Sequence, residues 1–150
     1  MVAAVVERHA VRAERRGITL AVEQEPDLYG LVNGDGFEHA LSNLVDNALK
    51  YTADGGTVGI RATRDGDRVR VDVSDAGPGI AREHQERIFE RFYRVDPGRS
   101  RDVGGTGLGL ALVKHLCQRM GAEVAVESEP GKGSVFTIRI ASINVSSFNR

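Results

Sequence analysis

Asn43, Asn47 and Lys50 follow one another at spacings of four and three residues within "HALSNLVDNALKYT". On a helix this spacing keeps the three side chains within roughly 60° of one another. An Asn amide oxygen is a hard, neutral ligand of the kind Mg²⁺ accepts while keeping waters and phosphate oxygens, and a Lys one turn on can reach the same phosphates. The same row would also serve as an ordinary solvated helix face, but two Asn residues in mid-helix are poor helix formers and ask for a reason. Asp75 ends the run "VDVSD" and is followed by Ala76-Gly77-Pro78-Gly79. Backbone without side chains lets a ligand approach closely there. A carboxylate at that place can accept a hydrogen bond from an exocyclic amine such as that of adenine, whereas guanine would face it with an oxygen. A turn whose Asp caps its own backbone is the competing reading.

A second glycine cluster, Gly104, Gly105, Gly107 and Gly109, runs into "LALVKHL". Free backbone N–H groups and the helix dipole favour an anion at such a start. Leu110 stands where a dinucleotide G-x-G-x-x-G would have its last glycine and where a Walker A loop would have its lysine, which excludes both. Between the two loops Arg91, Arg94, Arg99 and Arg101 lie on a stretch broken by Pro97 and Gly98, suited to a lid that carries cations over phosphates.

These residues need elements to hold them. Phe37, Leu41, Leu44, Val45, Ala48 and Leu49 form one apolar stripe at about 100° per residue, so 37–52 is the strongest predicted helix, with Asp35 at the N-cap position. A first helix is expected to stop at Gly17, a short one over 82–92, a loop over 94–105 and a long helix over 106–120. "ITLAVEQE" and "DLYGLVNG" read as short strands. Val69, Val71 and Val73 alternate after a "DGD" turn and predict a hairpin, and "AEVAVESEPGKGSVFTIRI" predicts another around Pro130–Gly133. Paired strands separated by helices imply an α+β fold: a two-layer α/β sandwich with a mixed, mainly antiparallel sheet and helices on one face.

The 150 residues suit a single domain, and the net charge of −1 offers no broad field for nucleic acid or an anionic membrane. Cys117 is the only cysteine, which excludes an internal disulfide and a cysteine zinc cluster. No apolar run reaches the roughly 20 residues of a membrane span. A soluble, monomeric fragment without nucleic-acid or direct membrane contact is expected.

Taken together these stretches resemble the catalytic and ATP-binding domain of two-component sensor histidine kinases, in the superfamily that also holds gyrase, the MutL repair proteins and the heat-shock ATPase chaperones. Residues 39–52 resemble the N box, 75–80 the G1 box, 88–94 the F box, 104–112 the G2 box and 131–136 the last glycine motif, in family order. The resemblance implies a Bergerat-type fold that binds ATP and Mg²⁺. Asn47 would hold Mg²⁺, Asn43 would support it or its waters, and Lys50 would meet the phosphates. Tyr51 would contact ribose or base. Asp75 would take the adenine amine, with Gly77, Gly79 and Ile80 shaping the base pocket. Tyr93, Arg94 and Arg91 would line the phosphate side, and Gly105, Thr106, Gly107, Leu108 and Gly109 would form the lid hinge and helix start.

Two departures qualify the resemblance. Asn43 replaces the Glu that activates water in the ATP-hydrolysing members, so rapid hydrolysis is not expected. His9, His39, His84 and His115 are followed by Ala, Gln or Leu and not by an acidic residue, so none matches the phosphoacceptor pattern. The resemblance thus implies transfer of the γ-phosphoryl group to a histidine on a separate dimerisation domain of the parent protein, which in turn serves a response regulator. The parent would be a membrane sensor with this domain in the cytoplasm. Two other functions compete. One is a non-catalytic ATP-sensing module, disfavoured by the intact Asn43, Asn47, Lys50 row, and the other an anti-sigma serine kinase, disfavoured by "IFERFYR".

Overall fold

The computed structural model describes residues 1–95 and 107–143. The predicted helix at the heart of the chain forms as α2 (Gly34–Tyr51), preceded by α1 (Val2–Arg15) and followed later by α3 (Gly109–Met120). The strands are β1 (Thr19–Gln24), β2 (Gly30–Leu31), β3 (Thr57–Asp65), β4 (Arg68–Asp75), β5 (Glu123–Ser128) and β6 (Ser134–Ser142). They make one six-stranded sheet in the order β1-β3-β4-β6, with β5 and β2 on successive stretches of the far edge of β6. Only β1 and β3 run parallel. The predicted two-layer α/β sandwich is thus the observed fold.

Strand alternation sets the layer boundary. Val69, Val71 and Val73 of β4 face Ile140, Ile138 and Phe136 of β6, while Ile60 and Ala62 of β3 pair with Val73 and Val71. All eight are buried, and the stripe of α2 closes over them with Phe37, Leu41, Leu44, Val45, Ala48 and Leu49. Burying a side chain of this size is worth about 1.5–3 kcal/mol, so this shared layer fixes how α2 lies across β3 and β4. The opposite face of the sheet is polar: Asp72 accepts hydrogen bonds from Arg70 at 2.9 Å and from Thr137. Among the described residues no helix is long and apolar enough to cross a membrane.

Several boundaries differ from those predicted. The N-cap of α2 is Asn33, whose side chain accepts the Gly36 N–H at 2.8 Å, and Asp35 lies inside the first turn. The side chain two residues earlier had the geometry to satisfy a free N–H, so Asp35 contributes only its charge near the helix start. In place of a helix over 82–92 there are two 3-10 turns, Arg82–His84 and Arg87–Phe89. Only Ile88 of this segment is buried, too narrow a stripe to hold a longer helix against a core. The last helix starts at Gly109 and not at residue 106. Most of the predicted 94–105 loop, with Arg99 and Arg101, and the positions Gly105 and Thr106 lie outside the described residues.

Candidate functional site

The apolar stripe of α2 faces the sheet, so its other residues are carried on the remaining surface. Asn43, Asn47 and Lys50 are all half-buried there, and Tyr51 is exposed at the helix end. Next comes Thr52, which is 1% exposed and whose hydroxyl accepts the Ala76 N–H at 3.3 Å. That bond ties the end of the N box to the loop after β4. Gly77 completes the joint: a Cβ there would stand 2.9 Å from the Tyr51 carbonyl oxygen and 2.9 Å from Asp75 Oδ1. Nothing larger than glycine lets this loop lie so close to α2.

Asp75 therefore sits at the end of β4 beside the end of α2. Its Oδ1 accepts the Gly77 N–H at 2.9 Å. Burial pushes the carboxyl above its ordinary pKa, against the opposing pull of the Gly77 and Ser134 backbone N–H groups. Although its side chain is exposed in part, partial burial raises the pKa of the Tyr51 hydroxyl, on which the charges of Arg94 and Asp75 also act. Residues of the predicted N, G1 and F boxes thus share one neighbourhood. The loop carrying Gly79 and Ile80 is strapped to the turn after β5: Ile80 N–H donates to Ser128 Oγ at 2.7 Å, and Gly131 N–H to Pro78 O at 2.7 Å. Gln85 closes the same strap through the Ile80 and Ser128 carbonyls at 3.0 and 2.9 Å.

Along the F box, Ile88 is buried and Phe89 packs edge-on to Phe136 with centroids 6.1 Å apart. Tyr93 bonds through its hydroxyl to the His84 ring, and Arg87 lies 4.5 Å over its face. Arg91 is exposed and Arg94 half-buried. Phe92 has φ +65°, a left-handed conformation that costs a bulky residue strain. Its N–H donates to Gly107 O at 2.9 Å, and a Cβ on Gly107, itself at φ +74°, would meet Phe92 Cα at 2.9 Å. The F and G2 segments are clamped at this point.

Met120 ends α3 against Gly36 in the first turn of α2. From there α3 packs against α2. At the start of α3 Leu108 provides no side-chain cap and the first turn holds no acidic residue, so its N–H groups and dipole are available to an anion. Among the described residues, a Cβ on Gly109 would meet nothing within 4 Å.

The site residues also fit a nucleotide in their unmet bonding. Asn43 Nδ2 is buried without a hydrogen-bond partner among the described residues. A buried donor left this way is costly and calls for an acceptor such as water or phosphate. Among the described residues no group of three His, Cys, Asp or Glu side chains is placed to hold a metal, and the half-buried Asn47 offers an amide oxygen of the neutral kind that a hydrated, phosphate-bound Mg²⁺ accepts. A hollow of about 400 Å³ also borders Asp75, but it is lined by strand and turn residues such as Ser74, Ser128 and Lys132 and by none of α2 or α3.

Reasoning from sequence missed several residues. Lys50 Nζ pairs with Asp46 Oδ2 at 3.0 Å, and Asp46 also accepts from Arg12 of α1. The i, i+4 spacing of Asp46 and Lys50 was a legible signal. Arg16 donates to the Leu49 carbonyl, to the Thr52 carbonyl at 2.6 Å and to Asp54 at 2.8 Å, which nothing in the local sequence announces.

Comparison with known proteins agrees with this geometry. Residues 32–143 match the family described as Histidine kinase-, DNA gyrase B-, and HSP90-like ATPase. The chain is 42% identical over 141 residues to the sensor-like histidine kinase SenX3 of Mycolicibacterium smegmatis, covering 93% of this chain and 36% of the relative. It is 48% identical over 111 residues to the phosphate regulon sensor protein PhoR of Pseudomonas aeruginosa, covering 74% of this chain and 25% of that protein. The chain thus spans about a third or less of these relatives. Among solved structures, full-length ShkA in complex with AMPPNP superposes with a TM-score of 0.80 at 36% identity over 93% of this chain and 29% of that one. The mycobacterial sensor histidine kinase MprB gives 0.77 at 30% identity, covering 94% of each chain. With the N-box helix packed on α3 and joined at its end to the glycine loop after β4, this chain belongs to the histidine kinase-, DNA gyrase B- and HSP90-like ATPase family and is a histidine-kinase-type ATP-binding domain.

Proposed function

We propose that the domain binds ATP with Mg²⁺ and transfers the γ-phosphoryl group to a histidine on a separate dimerisation domain of its parent, which then serves a response regulator. The observation that carries this reading is the junction of Tyr51, Thr52, Asp75 and Gly77, which joins the end of the Asn43, Asn47, Lys50 row to a half-buried carboxylate. Asp75 would accept the adenine amine, with Gly77, Gly79 and Ile80 against the base and Tyr51 beside the ribose or base. Asn47 would ligate the ion and Asn43 would donate its unpartnered Nδ2–H to water or phosphate. Lys50, Arg91, Arg94 and Tyr93 would line the phosphates, while Gly107, Leu108 and Gly109 present the start of α3 and Gly105 and Thr106 complete the hinge. Bound Mg²⁺ would supply charge neutralisation of the phosphates. The residues of this chain supply position and electrostatic complementarity, the terms that dominate phosphoryl transfer.

An acceptor elsewhere is in keeping with the sequence around the four histidines, none of which is followed by an acidic residue. Within the fold His9 is bonded to Ser42 at 2.8 Å and His84 to Tyr93. Asn43 carries no general base, in keeping with a kinase that spares ATP from water.

The test supplies a histidine-bearing dimerisation domain and γ-labelled ATP with Mg²⁺. Label on the acceptor histidine is expected, and Asn47→Asp should lower transfer by on the order of tenfold or more and change its Mg²⁺ dependence. ATP binding without transfer to any histidine would contradict the kinase reading.

A further inference from the structure

Asp46 precedes Asn47 on α2 and uses both carboxylate oxygens on cations. Oδ2 meets Lys50 Nζ at 3.0 Å, and Oδ1 accepts from Arg12 of α1. The side chains of Arg12, Asp46 and Lys50 are 42%, 34% and 28% exposed, so solvent screens the trio only in part. A carboxylate divided between two cations holds each less firmly than it would hold one. On the nucleotide reading above, Lys50 is wanted by phosphates, and Asp46 both occupies its ammonium and repels an approaching anion. We propose that Asp46 is a positioning residue that restrains Lys50 until a triphosphate displaces it, and that Arg12, by engaging the second oxygen, sets how strong that restraint is.

The placement of Arg12 is itself fixed by the seam between α1 and α2. Arg8 pairs with Glu38 at 2.9 Å, His9 with Ser42 at 2.8 Å, and Arg16 with the carbonyls at the end of α2. A shift of α1 along this seam would move Arg12 relative to Asp46 and so change the hold on Lys50.

This inference rests on the nucleotide reading, and titration calorimetry with Mg·ATP and with AMP separates the two. Asp46→Asn keeps the shape and removes the charge, so ATP affinity should rise about two- to fivefold, the span of a partly exposed ion pair. Arg12→Met keeps an apolar stem and leaves Asp46 wholly to Lys50, so ATP affinity should fall by a similar factor. The double variant should follow Asp46→Asn. In a Lys50→Met background Asp46→Asn should keep only the smaller gain from lost repulsion, clearly below its gain with Lys50 present, and an equal gain in both backgrounds overturns the restraint. AMP, which lacks the outer phosphates, should respond least to the Asp46 and Arg12 changes. The Asp46→Asn comparison with and without Lys50 does not depend on α1 and decides the restraint even if Arg12→Met fails to fold. ATP affinity moving in the same direction for Asp46→Asn and Arg12→Met, or unchanged in both, overturns the proposal while leaving nucleotide binding intact. A wild-type chain that binds no ATP overturns the nucleotide reading and the proposal with it.

Discussion

Asp75 answers two opposed demands. Burial raises its carboxyl pKa, so the folded state holds a proton there more readily than the unfolded chain does. The sign follows: its contribution to stability is full below the unfolded value and is lost as pH rises through the folded one, so at neutral pH the charged group is a cost to the fold. A carboxylate kept there against stability is what a ligand amine would require. Asp75→Asn should accordingly leave the ligand-free melting temperature at pH 7 no lower than wild type while weakening ATP and its preference over GTP. Scanning calorimetry together with ATP and GTP titrations checks this, and a clear loss of stability with unchanged nucleotide preference would make Asp75 a structural cap. Its place at a strand end before glycines was legible in sequence. The role of Thr52 was not, because a single hydroxyl that joins residues 52 and 76 leaves no local pattern.

The helix that carries the site shows which local signals suffice. Six apolar positions at helical spacing located α2 to within a few residues, since a stripe of that length can bury only one way. Its ends were less readable: Asn33 and Asp35 are both good N-caps, and backbone geometry selects between them. The F-box segment misled for the opposite reason, since its apolar residues suggested a helix where only Ile88 found burial. At its C-terminal end α2 is held by Arg16, whose guanidinium meets the Leu49 and Thr52 carbonyls. A cation on those free carbonyls also complements the helix dipole. Arg16→Met should cost about 2 kcal/mol in urea unfolding, as expected for bonds to a charged donor. Because Tyr51 and Thr52 anchor the glycine loop, it should also weaken ATP. A loss of stability below about 0.5 kcal/mol would place Arg16 among ordinary surface residues.

At the scale of the molecule, strand alternation and helix stripes were enough to give the sandwich, and the sheet then decided what no periodicity could. The pairing of β1 parallel to β3 and the sharing of one β6 edge by β5 and β2 are set by long-range register. Core packing of α3 buries Cys117 at 1% exposure, and desolvation raises its thiol to about 11. Thiol reagents should therefore label the native chain at pH 7 only as fast as it opens, and saturating ATP should slow that labelling further. Its stability contribution is complete below the unfolded value of 9.0 and falls as pH rises toward about 11. Prompt stoichiometric labelling of native protein would contradict the packing of α3 on α2. The central claim, one shared neighbourhood for a purine and its phosphates, is tested most directly by thermal unfolding with Mg·ATP. At about 100 times the dissociation constant, ATP should add about 2.7 kcal/mol of stability and raise the melting temperature, and the gain should shrink in Asp75→Asn. A melting temperature that does not move with Mg·ATP would contradict it.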